Sequence, residues 1–64
     1  MSSRQGLMRR LDAVRRMLLT GTSLAHAATA AGFVDQSHMT RHFSGTFGLT
    51  PGRWLQVANR SQRG

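Results

Sequence analysis

A chain of 64 residues makes one small domain, and a domain of this size buries only roughly 60% of the surface its unfolded form exposes, so a low stability is expected. It has no cysteine, which rules out a disulfide framework, thiolate zinc ligation and a thiol nucleophile. Its net charge of +7, from nine arginines against Asp12 and Asp35, points to a polyanionic partner.

The first predicted element spans 5–19. Leu7, Leu11, Val14 and Leu18 recur at steps of four, three and four, one apolar stripe of an α-helix. Arg9, Arg10, Arg15 and Arg16 fall mostly off the stripe, and Asp12 is spaced to pair with Arg16. Thr20-Gly21 ends the helix, with Gly21 suited to the left-handed position after the last turn.

A two-helix unit is predicted over 23–47. Ser23 is the N-cap of an alanine-rich helix running from Leu24 to Ala31, and Gly32 stops it where φ can be positive. Phe33 is the large apolar plug of the junction, and Asp35 caps a third helix over 36–47. In that helix Met39, Phe43 and Phe47 form a core-facing stripe at i, i+4, i+8, which assigns Ser37, Thr40, Arg41 and Ser44 to the opposite face. Thr50 and Pro51 then start a closing helix over 51–58 that turns Trp54, Leu55 and Ala58 inward. Asn59 to Gly64 is expected to fray. The expected fold is therefore all-α: one small domain, 1–64, of about four helices, with one helix-turn-helix.

Such a unit places its second helix in the DNA major groove. Arg41 is the leading candidate for a base contact, because its guanidinium can bond guanine O6 and N7 together. Gln36 and Thr40 can reach a base edge, a thymine methyl or a phosphate, and Ser44 shares their polar face. Ser37, in the first turn, suits a phosphate or a capping role. His38 is placed on a phosphate or base at the edge of the reading face, and Arg53 is read as a phosphate clamp. His38 and His42 have the i, i+4 spacing of a metal pair, but no HExxH glutamate and no nearby third ligand accompany them, so no metal and no cofactor is expected. His26 reads as a surface residue. With neither tyrosine nor glutamate, and with both aspartates in helix-capping or pairing positions, no acid–base or nucleophile arrangement can be built, and catalysis is not expected.

The segments RRLDAVRRMLLTG, AATAAGFVDQSHMTRHFSGTFG and LTPGRWL together resemble the carboxy-terminal half of the DNA-binding domain of AraC/XylS-type transcription regulators, from about Arg10 to Leu55. The resemblance implies a homeodomain-like, AraC-type fold: the second helix-turn-helix of the family plus its connecting helix, with Gln36, Ser37, Thr40 and Arg41 on the recognition helix. It also implies a truncated family member that lacks the first helix-turn-helix and any effector or dimerisation domain. Ala27 stands where the family usually has a bulky aliphatic residue, and Met39 where it has an aromatic one. Both departures predict a core with less buried area.

The expected function is sequence-specific binding of double-stranded DNA in bacterial transcription regulation, in the cytoplasm, with a full-length regulator or RNA polymerase as further candidate partners. Two other readings stand beside it. One is a helical interaction module that modulates a full-length relative without reading DNA. The other is a cationic amphipathic peptide acting on membranes through 7–18; the capped, glycine-turned helix pair that follows serves no such peptide. No membrane partner is expected, since no apolar run approaches the ~18 residues of a span.

Overall fold

The computed structural model describes residues 3–63, with side chains described for 5–60. Four helices follow one another: α1 (Ser3–Leu19), α2 (Leu24–Ala30), α3 (Gln36–Phe47) and α4 (Pro51–Arg63), and no strand occurs among the described residues. α1 packs against α2, α3 and α4, while α3 also packs against both α2 and α4. The core they enclose consists of Leu11, Val14 and Leu18 of α1, Ala27 and Ala28 of α2, Phe33 of the turn, and Met39 and Phe43 of α3.

The predicted punctuation acts at each boundary. The Ser23 hydroxyl accepts from the His26 N–H at 3.2 Å, the Asp35 carboxylate accepts from the His38 N–H at 2.8 Å, and the Thr50 hydroxyl accepts from the Arg53 N–H at 3.2 Å. Pro51 is buried at the first position of α4, where a missing N–H costs nothing. The α2–α3 turn is closed by two backbone bonds, Gly32 N–H to Thr29 O at 3.1 Å and Phe33 N–H to Ala28 O at 2.9 Å. This is the Schellman arrangement, and it requires the left-handed φ of +100° that Gly32 adopts. The same closure drives Phe33 into the core, where it is 4% exposed.

Three boundaries differ from the sequence reading. α1 starts two residues earlier, at Ser3, and α2 ends one residue earlier, at Ala30, with Ala31 as its C-cap. The larger correction concerns α4, which continues past Ala58 through Arg63 instead of fraying from Asn59. Polarity alone suggested the frayed end, but after Gly52 no glycine or proline interrupts the run to Arg63, and its Gln, Val, Ala and Arg residues are ordinary or good helix formers. Gly64 lies outside the described residues.

A candidate nucleic-acid interface

The candidate surface is the outward side of α3. At about 100° per residue, Ser37 and Arg41 lie on one line opposite Met39 and Phe43, and both are exposed. Met39 and Phe43 are fully buried, so the side of α3 that faces outward is fixed by packing. Thr40 and Ser44, assigned by periodicity to the face opposite the core, are half-buried on its shoulder, because they sit only one turn-edge away from Phe43 and Phe47. Gln36 is exposed in the first turn. Arg53 is exposed in the first turn of α4, just after the Thr50 cap.

His38 is drawn inward relative to this line. Its Nδ1 accepts the Val34 N–H at 3.3 Å, and its ring meets Phe33 edge-on at 5.5 Å between centroids. The His42 ring lies 4.8 Å from His38 and 6.1 Å from Phe33. The two histidines thus brace the α2–α3 turn against the side of α3, an arrangement that uses His38 within the protein before any ligand arrives. Among the described residues no group of three or more His, Cys, Asp or Glu side chains could hold a metal. His26 is exposed on α2.

The electrostatics of the surface follow from where the two acids are placed. Asp35 is occupied as the cap of α3. Asp12, on α1, is bound by Arg15 at 2.7 Å and by Arg16 at 2.9 Å. The hydrogen bond from Arg15, aided by the charges of Arg16 and Arg15, holds the Asp12 carboxyl below the usual carboxylate range against an opposing effect of desolvation. No carboxylate therefore interrupts the line from Ser37 to Arg41, and α4 carries none.

Four contacts escaped the sequence reading. Arg15 pairs with Asp12 in addition to the expected Arg16, and its guanidinium carbon lies over the Phe47 ring, 4.7 Å from the centroid. Arg10 lies across the α2–α3 turn, so that a Cβ on Gly32 would meet its Nε at 3.5 Å. The fourth is the bond from Val34 to His38. The available signals were weak: Arg15 is three residues from Asp12 and four from Leu11, which puts it at the margin of the apolar stripe, and nothing in the spacing names Phe47 as its partner.

A buried-faced second helix behind a Schellman-closed glycine turn, with an exposed polar line tipped by arginine, is the geometry of a helix-turn-helix. The model of a family described as helix-turn-helix domain matches residues 6–56, from α1 into α4. This chain belongs to the AraC-type helix-turn-helix family of DNA-binding transcription regulators. Over 44 residues, 67% of its length, it is 52% identical to a protein described as the transcriptional activator NphR of Rhodococcus sp. The matched stretch covers 13% of that relative. No solved structure matches the chain. In this chain α2 and α3 form the helix-turn-helix, and α1 and α4 pack against it.

Proposed function

We propose that this chain binds duplex DNA sequence-specifically by placing α3 in the major groove, with Arg41 bonding a guanine edge and Arg53 clamping a phosphate. The observation that carries this reading is the exposed line from Ser37 to Arg41 on a helix whose opposite side is locked by Met39 and Phe43. A polar helix face of this width suits a groove about 12 Å across. Gln36 and Ser37, in the first turn, are positioned for neighbouring bases or phosphates, with Thr40 and Ser44 along one shoulder. His38 contributes through the turn it braces. The domain acts in transcription control, the role named for the Rhodococcus relative, in the bacterial cytoplasm where its DNA lies.

The reading is tested by selecting bound duplexes from a randomised pool at ~100 mM salt, where phosphate contacts alone are already weakened. A recovered motif of a few base pairs is the expected result. Arg41→Ala should then relax preference at one position, a change of about 1–3 kcal/mol in discrimination, and Arg53→Ala should weaken all sequences evenly and reduce the salt slope by about 0.9. An unchanged motif in the Arg41→Ala protein would remove Arg41 from the groove. Recovery of no motif by the native chain would defeat sequence-specific reading by this domain.

A further inference from the structure

The end of α3 remote from its first turn is held by a chain of contacts that reaches both α1 and α4. The Arg15 guanidinium lies over Phe47 at 4.7 Å and is itself fixed by Asp12 at 2.7 Å. Phe47 meets Phe43 edge-on at 4.7 Å, and Phe43 meets Trp54 of α4 at 6.0 Å. The Arg15 side chain is 34% exposed, whereas that of its neighbour Arg16, which also binds Asp12, is 80% exposed. Of the two, only Arg15 reaches across from α1 to α3.

We propose that Arg15 is a positioning residue for sequence reading: it clamps the last turn of α3 and so sets the angle at which Arg41 meets the groove. This rests on the proposed reading of α3. The lever is short and steep. Arg41 lies six residues before Phe47, about 9 Å along the helix, so a swing of about 6° at Phe47 displaces the Arg41 backbone by about 1 Å. A binding constellation tolerates about 0.5 Å. A cation over an aromatic ring, with the cation anchored by a carboxylate on its own helix, resists such a swing in a way that half-buried Phe47 packing alone does not. Arg15 makes this contribution from the protein side of α3, without touching DNA.

The test measures binding to the selected duplex and to a scrambled duplex of equal length, across a salt series, for the native chain, Arg15→Lys, Arg15→Gln, Phe47→Leu, and Arg15→Lys with Phe47→Leu. Arg15→Lys keeps a cation that can still sit over the ring but loses the planar fork, so its loss should be smaller than that of Arg15→Gln, which removes the cation. The expected result is a fall of roughly fivefold in the ratio of selected to scrambled affinity in Arg15→Gln and in Phe47→Leu, the order that one part-exposed cation–π contact can carry. The double variant should be no worse than Phe47→Leu alone, since without the ring no contact is left for the lysine to make. Scrambled-duplex affinity and the salt slope should stay at native values. An unchanged ratio overturns the proposal. So does a loss shared equally by both duplexes with the slope reduced by about 0.9 in Arg15→Gln, which would make Arg15 a direct phosphate contact. Circular dichroism reports whether each variant is folded at the assay temperature; if the Arg15 variants are not, Phe47→Leu, which keeps an apolar side chain in place, decides alone. A native chain without sequence preference overturns the clamp together with the reading of α3, whereas a native preference that the variants retain overturns the clamp only.

Discussion

Asp12 holds two guanidinium groups at once, and this sets how the chain responds to acid. Its carboxyl is held below the ordinary value of 3.8, first by the Arg15 hydrogen bond, with Arg16 and Arg15 adding their charges. A carboxyl whose folded-state value is depressed contributes stability that is complete above the unfolded value and lost as pH falls through the folded one. Thermal melts of the native chain should therefore fall modestly below about pH 4, since an exposed pair carries little stability. Asp12→Asn should melt lower than the native chain at neutral pH and lose less on acidification, and parallel acid profiles for the two proteins would contradict the assignment. The pair between Asp12 and Arg16 was legible in sequence because i, i+4 is a fixed distance on any helix. The contact of Arg15 with Phe47 was not, because it joins residues 32 positions apart through a tertiary arrangement that spacing cannot encode. His38 was illegible for a related reason: its polar ring could serve DNA or the backbone, and only the path of the turn decides that Val34 N–H reaches it first.

At the scale of elements, the boundaries with a stereochemical cause were the readable ones. Ser23, Asp35 and Thr50 each accept the N–H three residues on, and Gly32 and Gly48 take the positive φ that their turns demand. The end of α4 was not readable, since no residue marks it and polarity says little about where an exposed helix stops. Two glycines of the same helix end region separate cleanly in consequence. Gly48 caps α3 with φ of +77° and its N–H bound to Ser44 O at 2.8 Å, so Gly48→Ala should destabilise the domain by about 1 kcal/mol or more. Gly45 lies inside α3, exposed, and a Cβ there would meet nothing within 4 Å beyond its chain neighbours and the backbone of its own helix. Gly45→Ala should therefore stabilise by about 0.5–1 kcal/mol through helix propensity. Gly45 also falls on the line of Ser37 and Arg41, so the same alanine reports how closely α3 enters the groove: a variant that melts higher yet binds the selected duplex more weakly places DNA against this backbone. Melting shifts of the same sign, or a rise for Gly48→Ala with a fall for Gly45→Ala, would contradict the assignment of these glycines.

For the whole molecule, the decisive quantity is how little apolar area four short helices can enclose. The fully buried side chains are few, and two of the core positions are alanines on α2, Ala27 and Ala28, whose burial contributes little per residue. Phe43 stands in the core, fully buried and in edge contact with both Phe47 and Trp54, so the packing of α3 on α4 depends on it. Removing such a ring costs about 3–5 kcal/mol, and a domain of this size rarely has more than that in total. Phe43→Ala should therefore be largely unfolded at 25 °C by circular dichroism. A ligand that binds only the folded chain adds RT ln(1 + [L]/Kd), about 2.7 kcal/mol at a hundredfold excess over Kd, and in a domain this small each kcal/mol moves the midpoint by about 4–8 °C. Saturating duplex should accordingly raise the melting temperature of the native chain by more than about 10 °C in low salt. The gain should shrink as salt rises, because the released counterions that drive phosphate binding are then less favourable. In Phe43→Ala the same duplex should restore helical signal in part, in proportion to its concentration, since mass action repopulates the folded form without replacing the lost ring. A native melt that duplex leaves unmoved in low salt would mean that folding and DNA binding are uncoupled, and that the charge of the chain attracts DNA equally to its unfolded form.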